Sequence, residues 1–185
     1  IAYPGNTSGR SAVRVYGKET VITFKFTGNK ISNGNVVYEL RETESCEISG
    51  NEYKDINVIS TRLPENSVIT LTNEVFENCA FRPGTNFYNS DGTITLKLDA
   101  TDKICVRLVN CTFKSSRSDT NALYDAELVD SVIGPISSEM VIRGVNFENS
   151  TITGANLKLL RQFKFNDTEI INSSLVFSTN NSNPA

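Results

Sequence analysis

Carboxylates are the side chains in this chain best suited to chemistry. Asp99 and Asp102 form one local cluster, Asp125, Glu127 and Asp130 a second, and Asp167 with Glu169 a third. Two carboxyl groups facing one glycosidic bond act as general acid with base or nucleophile, and their separation decides the stereochemical outcome. Asp99, Asp102, Asp125 and Glu127 are therefore the residues that a polysaccharide-cleaving reading would use. Histidine is absent, which removes Ser-His-Asp and Cys-His nucleophile pairs, His-ligated zinc and haem, and the usual proton shuttle near neutral pH. Cys46, Cys79, Cys105 and Cys111 form no CxxC pair and carry no zinc-ribbon spacing. Four cysteines in 185 residues are too sparse for a disulfide-dense scaffold. Buried free thiols are expected, since Cys behaves as a small core residue.

Other motifs point to architecture. Asn89-Ser90-Asp91-Gly92 resembles the start of a calcium loop but lacks the later ligands and the terminal Glu, so a turn is expected. No Gly-rich phosphate loop is present, and neither a metal nor a cofactor is expected. Asn-x-Ser/Thr sequons begin at Asn6, Asn110, Asn149, Asn166, Asn172 and Asn180. Three of them lie in a repeat motif whose bend already calls for these residues, which makes them poor evidence of glycosylation. Eighteen basic against 21 acidic residues, net −3, argue against a nucleic-acid partner. No 18-residue apolar run exists, so no membrane insertion is expected. The start at Ile1 and the polar tail 178–185 read as the ends of a segment cut from something larger.

The elements that must position these residues show up as a repeat. Five stretches share the pattern large apolar, any, Asn or Asp, small, any, large apolar: Phe76–Phe81, Leu108–Phe113, Leu128–Ile133, Phe147–Ile152 and Phe165–Ile170. Their third positions, Asn78, Asn110, Asp130, Asn149 and Asp167, are separated by 32, 20, 19 and 18 residues. The first interval becomes regular if about a dozen residues from Arg82 to Gly92, rich in Pro, Gly and Asn, leave as a loop. A degenerate sixth copy at Glu44–Ile48 would need a similar excursion from Ser49 to Asn66. Side chains alternate along a strand, yet here the inward positions slip by one at the Asn or Asp. That slip requires a bend, and Asn and Asp tolerate the left-handed conformation a bend demands. The small residue that follows, Cys79 and Cys111 among them, fits the inside of the corner.

Alternating runs such as Ser67–Leu71, Thr93–Leu98, Ile104–Leu108 and Met140–Arg143 supply straight segments between corners. Helical periodicity is weak; 155–163 is the best helical candidate and fits another corner equally well. Coils of 18 to 20 residues with short strands resemble the right-handed parallel β-helix, an all-β solenoid of the pectate-lyase-like kind. Val145–Leu157 carries a distant likeness to pentapeptide-repeat proteins. The organisation expected is an N-terminal segment over 1–43 whose irregular strands cap the stack, a solenoid over 44–177, and a polar tail over 178–185. An open solenoid end exposes backbone groups, which is why a cap is required.

The outward positions suggest a use. Val109, Val129 and Val132 should form an apolar patch that is either an interface or ground covered by the loop 114–119. Cys79 and Cys111, placed at the same corner of successive coils, would be within disulfide range, although reduced thiols are preferred. Asn86, Phe87 and Tyr88 are candidate binding residues because loops on a rigid scaffold carry recognition. The composition and the repeat together are similar to parts of phage tail spikes, virion decoration proteins and bacterial surface adhesins. That resemblance implies a non-catalytic, oligomeric structural or binding module, extracellular or at a virion surface. Its partners would be copies of itself or other subunits of the assembly, with a glycan as a further ligand. A carbohydrate-active enzyme is the alternative.

Overall fold

The computed structural model describes residues 11–16, 21–39, 43–64, 67–82, 86–88, 94–96, 104–117 and 121–178. Asp99 and Asp102 lie outside these residues, as do the side chains of Asn86, Phe87 and Tyr88.

Strands follow one another along the chain. They are β1 (Ser11–Tyr16), β2 (Val21–Thr27), β3 (Lys30–Glu39), β4 (Thr43–Ser49), β5 (Glu52–Pro64), β6 (Ile69–Thr72) and β7 (Val75–Glu77). Next come β8 (Ala80–Phe81), β9 (Asn86–Tyr88), β10 (Ile94–Leu96), β11 (Val106–Val109), β12 (Thr112–Ser115), β13 (Asn121–Tyr124) and β14 (Ala126–Val129). The last are β15 (Val132–Ile136), β16 (Glu139–Glu148), β17 (Thr151–Thr153), β18 (Asn156–Asn166), β19 (Glu169–Ile171) and β20 (Ser174–Ser178). All pair in parallel except the β9–β10 hairpin. They wind into a β-solenoid of about six turns with three faces.

The first face runs β2, β4, β6, β11, β14 and the later halves of β16 and β18. The second runs the opening of β3, the opening of β5, then β7, β12, β15, β17 and β19. The third runs β1, the rest of β3 and β5, β8, β13, the starts of β16 and β18, and β20. Strand alternation sends one apolar residue per face to the axis of each coil, so like residues stack. On the first face Ile48, Leu71, Leu108, Leu128 and Phe147 align and are all buried. On the second, Tyr53, Phe76 and Phe113 stack ring on ring, with centroids 4.9 and 4.5 Å apart. Each such ring contributes about 1.5–3 kcal/mol by leaving water. On the third, Ile59, Phe81, Leu123, Ile142 and Leu159 complete a thin continuous core.

Corners use the left-handed conformation that the motif anticipated. Asn73, Asn110, Asp130, Asn149 and Asp167 stack at the first corner with φ between 45° and 58°, and Gly28 and Gly50 continue the row. The backbone ladder continues through it, as in Asn73 N to Val109 O and Asn110 N to Val129 O, both 2.9 Å. The small residue just inside satisfies the turn: Ser131 Oγ accepts from Cys111 N at 3.0 Å and donates to Val129 O at 2.8 Å. Asp55, Asn78, Gly154 and Asn172 serve the second corner, and Asp125, Gly144 and Arg161 the third, all at positive φ.

The register of one repeat differs from the sequence reading. Asn78 and Cys79 turn the second corner, whereas Asn110 and Cys111 turn the first. Phe76 pairs with Phe113, so Phe76–Phe81 is displaced by one face from the other four copies. The residue under Asn110 is Asn73, whose Oδ1 accepts from Asn110 Nδ2 at 2.6 Å. Cys79 and Cys111 are therefore not stacked, and all four cysteines are free. A face–corner–face unit occurs at every corner of a solenoid, so the motif is the same wherever the chain turns. The supposed sixth copy is likewise no corner, since Cys46 sits within β4 opposite Phe24. Nor is Ser49 to Asn66 an excursion: β5 fills most of it and carries two faces of the stack. Residues 155–163 form a corner and the start of β18, not a helix. The N-terminal strands continue the coils in the same parallel register, β1 on β3, β2 on β4 and β3 on β5, so the solenoid begins before residue 44.

Candidate functional site

Regular coils leave rows of outward side chains, and most rows are neutralised by ion pairs. Lys25 meets Glu47 at 2.9 Å, Lys30 meets Glu52 at 3.0 Å, and Arg107 meets Glu127 at 3.2 Å. Glu77 lies between Lys54 at 2.7 Å and Lys114 at 3.1 Å, and their ammonium groups hold its carboxyl below the usual range. These exposed pairs fix register more than they stabilise.

The third face departs from that pattern. One residue past the inward Phe81, Leu123 and Ile142 come Arg82, Tyr124 and Arg143, so register places them in one outward row. The Arg82 guanidinium lies 5.5 Å from the centre of the Tyr124 ring and that of Arg143 4.5 Å from it. Both Nε groups are buried without a hydrogen-bond partner. Arg143 also approaches Asp125 at 3.8 Å. Asp125 is a buried corner residue with φ 50°, and the neighbouring coil makes room for it with Gly144, where a Cβ would stand 2.6 Å from Asp125 Oδ1. At the other edge of the same face a cavity of about 70 Å³ is lined by Ile56, Asn57, Asn78, Cys79, Ala80, Arg117 and Asn121. Asn78 is committed to the frame: its Nδ2 donates to Asp55, and its Oδ1 accepts from Ser115 Oγ and Ser116 N.

The other named residues are distributed. Asp125 is turned to Arg143 behind the third corner, while Glu127 is outward on the first face against Arg107. These two members of the catalytic alternative thus face different partners on different faces. Val109 and Val129 are register neighbours, Val132 lies across the Asp130 corner, and all three are half-buried. The described part of the loop, 114–117, turns toward Asn78 at the second corner, and residues 118 and 119 lie outside the described residues. The β9 backbone pairs with Arg62, Leu63 and Pro64, which extends the sheet of β5. Asp130 Oδ1 accepts from Asn149 Nδ2 at 2.6 Å, as a corner ladder requires. Among the described residues no group of three or more His, Cys, Asp or Glu is placed to hold a metal ion. Among the described residues no helix is long and apolar enough to cross a membrane.

Sequence reasoning missed the Arg82–Tyr124–Arg143 row. Its signal is a polar residue directly after the inward apolar one, readable only when the length of the insertion before β11 is known. No family model and no curated protein matches the chain.

Proposed function

We propose that this chain is a non-catalytic structural and binding module of a virion or bacterial surface assembly, acting as a rigid scaffold that associates with copies of itself or with other subunits. The observation that carries the reading is the adjacent, half-buried set Val109, Val129 and Val132 on a frame whose strands are locked by parallel pairing on both sides. A rigid coil stack fixes the spacing of its outward side chains, so contacts made at one coil are repeated in register at the next. Light scattering on the wild type and on Val129→Lys tests it. A wild-type oligomer that the substitution dissociates is expected. A wild-type monomer, or an oligomer unchanged by the lysine, refutes the interface. Release of reducing ends from a polysaccharide panel would refute the non-catalytic half.

A further inference from the structure

In the Arg82–Tyr124–Arg143 row the guanidinium groups are stacked with an aromatic ring instead of being matched by an equal number of carboxylates. Asp125 at 3.8 Å offsets one of the two charges. The Arg82 guanidinium lies over the Tyr124 ring, and its buried Nε has no acceptor. The Nε is out of reach of solvent, but the Nη groups of Arg82 are not among the buried atoms that lack a partner, and a charge-assisted bond from them to an oxyanion is stronger than one to a neutral acceptor. The ring holds the two guanidinium planes in place, so little side-chain freedom is lost when an anion arrives.

We propose that this row binds an anionic glycan, with one sulfate or carboxylate on Arg82 and a second reaching Arg143. The geometry sets the spacing. Arg82 and Arg143 flank Tyr124 in alternate coils, so their heads are about 10 Å apart, twice the inter-strand distance. That is too far for one small oxyanion to bridge and comparable to the repeat of a disaccharide. The cavity at the other edge of this face adds the amide of Asn57 for a hydroxyl group, while Asn121 Nδ2 is held by Ser138 Oγ at 3.1 Å. The inference deepens the binding half of the proposed function and rests on it.

Calorimetric titration of the full chain tests the site with four probes: a sulfated heparin-type oligosaccharide, a neutral dextran oligosaccharide, inorganic sulfate and a polyglutamate peptide. Binding of the sulfated oligosaccharide, weakened by added salt and not matched by dextran, is expected. Arg82→Gln should lower that affinity at least tenfold without shifting thermal unfolding. Should Arg82→Gln fail to fold, Val141→Glu keeps both arginines and places a competing carboxylate in the adjacent outward row; it should weaken binding as well. Absence of binding, or equal binding by the variants, overturns the site. Sulfate binding as tightly as the oligosaccharide overturns the two-point spacing, and polyglutamate doing so overturns the glycan. If no probe binds while the oligomer persists, this inference falls and the scaffold reading stands. Binding by a monomer sinks the scaffold and leaves the site.

Discussion

Replacing Glu74 by Gln tests whether the core of this solenoid holds a neutral carboxyl group. Glu74 occupies the inner position of the first corner, where other coils place Asn51, Cys111, Ser131 or Ser150, and its exposure is 0%. Its Oε1 accepts a 3.0 Å bond from Asn51 Nδ2. Tyr53, whose hydroxyl is bonded to that of Tyr38, and the Cys111 thiol complete its surroundings. Burial pushes the carboxyl from the ordinary 4.5 up to about 7, against the opposing hydrogen bonds of Tyr53 and Asn51. Below about pH 4.5 the group is protonated in both folded and unfolded chains. As pH rises from there to about 7, the unfolded chain releases its proton and the folded chain keeps it, so stability falls. Above that the curve is flat. The interval amounts to at most about 3 kcal/mol, at 1.36 kcal/mol per pH unit. With no His in the chain, no other side chain of ordinary pKa titrates between about pH 5.5 and 7, which makes the signal clean. Urea unfolding of wild type and Glu74→Gln across about pH 4.5 to 8 reads it directly. The variant should match wild type at the acid end and exceed it by about 2–3 kcal/mol at pH 8, because Gln reproduces the protonated shape without the charge. A difference that does not change with pH, or a variant less stable at pH 8, refutes the neutral carboxyl.

Two further outcomes follow from corner geometry and burial. Gly134 has φ 124°, and a Cβ there would stand 1.7 Å from Thr153 O, whereas a Cβ at Gly28, φ 67°, meets nothing within 4 Å. Gly134→Ala should therefore cost more than about 3 kcal/mol and Gly28→Ala about 1 kcal/mol in chemical denaturation, and equal losses would refute the steric account. Burial pushes the thiols of Cys79, Cys105 and Cys111 up to about 12 and that of Cys46 to about 11. An aromatic disulfide reagent should react slowly with the folded chain and find four thiols in denaturant. Finding two would contradict the free cysteines.

The solenoid was legible because its rule is local. An inward apolar residue, an Asn or Asp in the left-handed region and a small inner residue recur within six positions, and strand alternation converts them directly into a face and a corner. Register was not local. Phe76-Glu77-Asn78-Cys79 and Leu108-Val109-Asn110-Cys111 satisfy the same rule, yet one turns the second corner and the other the first. Distinguishing them requires knowing that Phe76 lies on Phe113, a contact between residues 37 apart that no window of a few residues contains. Glu74 was hidden for a related reason. Asn73-Glu74 obeys the corner pattern at the Asn, but a carboxyl at a small inner position is read as outward until the stack places Tyr53 and Asn51 around it.

The same constraint explains where the unusual chemistry collects. Three faces of a coil are held in register by the coils above and below, so a coil gains residues only at its corners. Asp130 to Asn149 and Asn149 to Asp167 span 19 and 18 residues, but Asn73 to Asn110 spans 37. The added residues lie in the sequence between Arg82, at the third corner, and β11, and β9 among them still pairs with β5. A smaller addition follows Arg117 at the second corner, before β13. Arg82 and Arg117 thus precede the two added stretches, one at each edge of the third face. The regular coils need only residues that stack, and they carry Leu, Ile, Phe and matched ion pairs. Residues beside the added stretches need not repeat from coil to coil, so the Arg82 guanidinium can be kept there at no cost to the ladder. On this reasoning, a functional residue in such a fold is best sought beside the longest coil, one position past an inward apolar side chain, as Arg82 is past Phe81.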